Sequence, residues 1–287
     1  MSVSNQTLQT FSAITSNGHI DIAWNGLDTN GVAYSGAFVD VVVNDPAKKR
    51  VYRENAMTGF PQNFLVSYVM LLPEGSIAGD EFETMIDAVT TDVDGSGPYI
   101  LEGDGSGVSG STEIADTAPS WNSWAISLAS NSCANLYYFG HGSQNAIANR
   151  VNNANSGFYV NELENFLGNS VIGGNCFFTQ PFHFVFLDGC NTGRGAWSEA
   201  FGIERMQVSA AGYTTNGLVA RAFVGWTSVK AFSVSGAWNN VHGNFIINFF
   251  NDWSTSGDPL QTVINRNLPG GFTAPQIWGA TDLRWNP

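Results

Sequence analysis

Residues 184–193, FVFLDGCNTG, constrain this chain more than any other stretch. Phe184-Val185-Phe186-Leu187 is apolar at every position, the pattern of a parallel strand buried on both faces rather than of an alternating surface strand. The run stops at Asp188-Gly189-Cys190, where glycine permits a sharp turn and a thiol is left at the strand's carboxyl end. Ligands of open α/β sheets bind just beyond the carboxyl ends of the strands, so Cys190 is a candidate nucleophile.

A thiol with an ordinary pKa of about 8.5 is only a few per cent ionised at neutral pH and needs a base. Leu136-Tyr137-Tyr138-Phe139-Gly140-His141-Gly142 offers one, an apolar strand that ends in a histidine between two glycines. Cys190 follows His141 by 49 positions, room for one crossover helix and its loops. Neighbouring parallel strands would therefore deliver His141 and Cys190 to the same sheet edge. Each alone reads as a packed cysteine or a loop histidine; the pair at two strand ends reads as a dyad.

The two motifs, FGHG and FLDGCNTG, resemble those of the caspase-like cysteine peptidases of clan CD (caspases, metacaspases, gingipains, clostripain, separase and legumain). The likeness is strongest to CHAT domains, in which one apolar strand ends in GHG and a later one in a cysteine followed by Asn-Thr-Gly. It covers roughly residues 65–287. Cys190 follows Asp-Gly rather than Gln-Ala, so the chain is not a caspase proper. The resemblance implies peptide-bond hydrolysis through a thioester. Cys190 would be the nucleophile, His141 the proton carrier, and the N–H groups of Gly142 and Cys190 the oxyanion donors. Asp188 matches the aspartate that metacaspases place in an Arg/Lys-binding S1 pocket, which implies cleavage after a basic P1 residue; a turn-capping aspartate is the plainer alternative. Glu74 is a second candidate for that pocket.

Further constraints come from charge and cysteine usage. A net charge of −13, with three lysines among eleven basic residues, argues against nucleic acid as partner, because phosphate neutralisation needs clustered Lys and Arg. No apolar run approaches bilayer-spanning length, so no membrane partner is expected. The start, MSVSNQTLQTFSA, lacks a basic and an apolar region, so no signal peptide is expected there. Abundant Asn, Gly, Ser and Thr beside little Lys nevertheless leans towards a secreted, bacterial-type protein. Three cysteines without a CxxC pair indicate neither a disulfide framework nor a zinc ribbon, and no cofactor or metal is expected. The partner expected is a protein or peptide substrate, with room for an activator or partner domain in a longer protein.

Two regions follow from the patterning. Residues 1–62 read as a small β-sandwich-like domain, with extended runs at 20–24, 38–43 and 49–52 between turn clusters. Residues 63–287 read as α/β, a caspase-like parallel-rich sheet flanked by helices. The expected strands are 64–72, 99–101, 136–139, 184–187, 222–226 and an edge strand at 277–283. The expected helices are 80–89, 120–128, 160–167, 195–201 and 241–253. The last of these carries Val241, Phe245, Phe249 and Trp253 at a spacing of four. His19 reads as a turn or surface residue, and His183 and His242 read as structural. Asp92-Val93-Asp94-Gly95-Ser96-Gly97 resembles the start of a calcium loop, but position 12 would be Gly103 instead of a bidentate glutamate; a plain glycine-rich loop is expected.

Two other classes compete with a peptidase. One is a catalytically silent caspase-like scaffold or interaction protein. The other is an exported adhesion or carbohydrate-binding protein, suggested by the β-rich front and nine tryptophans.

Overall fold

The structure, a computed structural model, describes residues 38–44, 49–55, 62–69, 77–95, 99–102, 111–114, 118–129, 133–148, 157–172, 175–177, 182–215, 220–228 and 240–285. Within the front region, Phe38–Asn44 and Lys49–Asn55 pair as an antiparallel hairpin. Residues 1–37, and His19 with them, lie outside the described residues, as do Glu74 and the glycine-rich segment 103–110.

The rest is a mixed α/β unit with a mostly parallel sheet between helices. In chain order its main elements are β1 (Gln62–Tyr68), α1 (Ile77–Gly95), β2 (Tyr99–Glu102), α2 (Ala118–Ala129), β3 (Cys133–Phe139), α3 (Val160–Leu167), β4 (Phe184–Asp188), β5 (Ala222–Gly225), α4 (Asn240–Ser256), α5 (Leu260–Asn267) and β6 (Gln276–Ala280). The sheet runs Gln207–Val208, β6, β5, β4, β3, β1, β2, with Thr112–Glu113 beside β1. Strands β1 to β5 pair in parallel, and β6 runs antiparallel to β5. The final strand is not an edge strand, because Gln207–Val208 pairs with its outer side.

Strand β4 shows why an unbroken apolar run is needed. Phe184 and Phe186 face the layer of α1, α4 and α5, whereas Val185 and Leu187 face α2, α3 and Trp197. Every residue of β4 is fully buried, as a strand covered on both faces must be. Helix α1 is longer than its apolar spacing suggested. Val93 extends the buried stripe of Met85, Ile86 and Val89 by one more turn, so Asp92 and Asp94 sit on a helix and not in a loop.

Helix α4 corrects a second expectation. A strict spacing of four advances about 400° per step, so the stripe drifts about 40° each time around a 3.6-residue helix. Phe245, Phe249 and Trp253 stay inside as a stacked ladder, with ring centroids 6.2 and 5.7 Å apart. Three steps back from Trp253 the drift has carried Val241 out to 44 % exposure and brought His242 in to 2 %. Leu260 to Asn267, entered through Pro259, forms a further helix that sequence periodicity did not reveal.

At the amino end of β4, His183 is buried, its Nδ1 3.1 Å from Asn135 Oδ1. Burial holds this imidazole down at about 4, so it is neutral in the folded protein. The unfolded chain takes up the proton first, near pH 6.5; this contribution to stability is present above that pH and is lost as pH falls towards 4. Denaturant unfolding at pH 7 and pH 4.5 is expected to differ by about 2 kcal/mol from this group. His183→Gln should remove that share of the slope; an unchanged slope in the variant would assign the pH dependence elsewhere.

Candidate functional site: two strand ends carrying His141 and Cys190

Strands β3 and β4 are direct neighbours, and their register pairs Leu187 with Tyr138 and Asp188 with Phe139. Past the strand ends a Cβ on Gly189 would lie 3.1 Å from the Gly140 carbonyl oxygen and 3.2 Å from the Gly142 nitrogen, so the turn before Cys190 lies against the segment that carries His141. The Gly140 N–H donates to the Asp188 carbonyl at 3.4 Å, carrying the pairing one step further. Adjacent strands lie about 4.8 Å apart, so the histidine and the cysteine leave the same edge of the sheet from neighbouring strands.

The loops beyond are pressed together, which explains their glycines. A Cβ on Gly142 would lie 2.7 Å from Thr192 Cγ2 and 3.0 Å from the Cys190 carbonyl oxygen. A Cβ on Gly195 would overlap the Gln144 carbonyl oxygen outright. Trp197 reinforces the clasp, its Nε1–H donating to the Ser143 carbonyl at 3.0 Å. The two loops therefore form one unit that positions both side chains.

After His141 the chain turns back as a small antiparallel sheet, His141–Gly142 against Ala146–Ala148, which pairs with Gly157–Tyr159. The Ser143 N–H donates to the Ala146 carbonyl, making 143/146 a hydrogen-bonded pair. Antiparallel ladders alternate, so Gly142 opposite Ile147 is a non-hydrogen-bonded position and its N–H turns away from that strand. On that other side lies Gly189, whose added Cβ would come within 3.2 Å of the Gly142 nitrogen. A Gly142 N–H turned out of that ladder and lying close to the Cys190 turn is a candidate oxyanion donor.

The turn itself is held from behind. Asn191 takes the left-handed conformation, φ 56°, the one non-glycine residue to do so among the described residues; asparagine tolerates this region better than most side chains. Thr192 Oγ1 lies 2.8 Å from the Leu187 carbonyl and 2.9 Å from that of Gly189, and it accepts the Trp226 N–H at 3.3 Å. Gly193 N–H donates to the Trp226 carbonyl at 2.9 Å. The Cys190 thiol is half-buried and His141 likewise. Burial lowers His141 from its ordinary 6.5, so the ring is neutral at pH 7 and able to accept a proton.

Asp188 is placed differently from the two catalytic candidates. It shares parity with Phe184 and Phe186 and points into the α4 layer, fully buried. Its Oδ2 accepts the Tyr137 hydroxyl at 3.0 Å and lies 2.8 Å from His242 Nε2, which must donate because a carboxylate offers only lone pairs. Its Oδ1 accepts Trp226 Nε1–H at 2.7 Å. Burial, reinforced by the Asp188 charge, pushes Tyr137 well above its ordinary range, so the phenol stays protonated and donates. The carboxylate is thus bound inside the fold and is not turned to solvent.

Sequence reasoning took His242 as structural and gave Tyr137 and Trp226 no role in this cluster. The α4 stripe at 242, 245, 246, 249, 250 and 253 carried the signal for His242, since those offsets are the ones that keep to one helix face. Among the described residues no group of three or more His, Cys, Asp or Glu side chains is arranged to hold a metal ion, and no helix is long and apolar enough to cross a membrane. In comparisons with known proteins, no family model matches the chain and no curated protein matches it.

Proposed function

We propose that this chain is a cysteine endopeptidase of the caspase-like type, working through a Cys190–His141 dyad. The observation that supports the reading is that the strands ending just before His141 and Cys190 are paired in parallel, with the loops beyond them in close contact. Cys190 Sγ attacks the scissile carbonyl carbon while His141 takes the thiol proton. The oxyanion is met by the N–H groups of Gly142 and Cys190. Collapse breaks the C–N bond, leaves a thioester on Cys190, and passes the proton from His141 to the departing amine. Water, deprotonated by His141, then releases the acid and restores the thiol.

The substrate class proposed is a protein or peptide, with Arg or Lys at P1 as the resemblance implies. The carboxylate expected to read that cation already holds three internal donors, so P1 preference is measured separately from the dyad. A fluorogenic panel with Arg, Lys, Asp, Asn or Leu at P1, run with and without calcium, makes the measurement. Hydrolysis of any member that is lost in His141→Ala supports the dyad. Silence across the panel with Cys190 inert to an alkylating agent would instead favour a scaffold role.

A further inference from the structure

A fully buried carboxylate two residues before a nucleophile has to be accounted for, because leaving such a charge unpaired in the interior costs several kcal/mol. Its donors come from three separate parts of the fold. Tyr137 lies on β3, four residues before His141. Trp226 follows β5, and its own backbone N–H and carbonyl hold Thr192 and Gly193 behind the cysteine turn. His242 reaches in from α4 with its ring among Phe139, Trp226 and Phe245, centroids 5.9 to 6.3 Å away. One carboxylate therefore joins the strand that carries the histidine to the support of the loop that carries the cysteine.

We propose that Asp188 and His242 form the positioning pair of the Cys190–His141 dyad, fixing the level of one loop against the other, and that Asp188 does not receive the substrate's P1 side chain. This rests on the dyad reading. A substrate cation would have to compete with His242, Trp226 and Tyr137 for a fully buried carboxylate, which would release the contacts that align the site. His242 thereby becomes a residue on which reactivity depends, although it lies in the helix layer.

The test reads thiol reactivity, so it does not depend on finding a substrate. The rate of Cys190 carbamidomethylation by iodoacetamide is followed by peptide mapping, which separates it from Cys133 and Cys176, in wild type, His141→Ala, His242→Gln and the double variant. Each single change is expected to slow Cys190 by about 10-fold, since small displacements of aligned groups have effects of this order or larger. The double variant is expected to be no slower than His141→Ala, because His242 acts only through that alignment. Should His242→Gln fail to give a cooperative melt, Tyr137→Phe, which removes one donor and keeps the shape, takes its place with the same expected non-additivity. A wild-type rate in His242→Gln beside a slowed His141→Ala would overturn the positioning role alone, as would losses that multiply in the double variant. A wild-type rate in His141→Ala would overturn the dyad and the positioning role with it. With any panel peptide that is cleaved, Asp188→Asn should lower kcat and preserve the P1 ranking; a loss confined to Arg and Lys peptides would return Asp188 to the pocket.

Discussion

For the proposed peptidase, Cys190→Ala is expected to reduce peptide hydrolysis by at least about 10⁴-fold in kcat while leaving the folded state intact. Removing a covalent nucleophile eliminates the thioester route, and only the modest acceleration from binding and oxyanion donors survives. The stability effect should be small, within about 1 kcal/mol, because the thiol is half-buried at a loop and contributes to neither apolar cluster of the sheet. Fluorogenic turnover and a denaturant melt on the same preparation make the comparison. Retained turnover would show that another residue performs the chemistry.

Gly142→Ala is expected to produce the second-largest loss, about 10²–10³ in kcat, the usual effect of removing one oxyanion donor. The added methyl meets Thr192 Cγ2 at 2.7 Å and backbone atoms of Gly189 and Cys190 at 3.0 Å, so the loop must shift. That shift carries the Gly142 N–H away from the cysteine turn without replacing either dyad side chain. Overpacking of this kind costs about 1–3 kcal/mol of stability, so activity is to be compared well below the melting transition. Gly270→Ala provides the contrast, for its added Cβ meets nothing within 4 Å; turnover should match wild type. Equal effects from the two substitutions would mean that the tight approach at Gly142 has no catalytic consequence.

Much of the sheet was legible because a strand buried on both faces has to be apolar throughout. The run at 184–187 and the run ending at Phe139 announced themselves, and their glycine-flanked polar residues marked the sheet edge. The same rule held clues that composition alone obscured. Asp188 shares parity with Phe184 and Phe186, so alternation already turned its side chain towards the helix layer. Its three donors could not be read in this way: Tyr137, Trp226 and His242 come together only through pairing between distant segments and the docking of α4. The stripe of α4 was misjudged where a spacing of four was followed past the point at which the helix rotates out of it, leaving Val241 exposed and His242 inside. The small sheet after His141 has three-residue strands at most, too short for an alternating pattern to register.

The dyad is the central claim, and covalent trapping tests it most directly. Wild type, His141→Ala and Cys190→Ala are incubated with peptidyl chloromethyl ketones bearing Lys, Arg or Leu at P1, and intact mass with peptide mapping locates the adduct. A single adduct is expected on Cys190, forming rapidly in wild type, slowly in His141→Ala and not at all in Cys190→Ala. Labelling of Cys190 at the same rate with and without His141, or labelling distributed equally over the cysteines, would contradict the dyad.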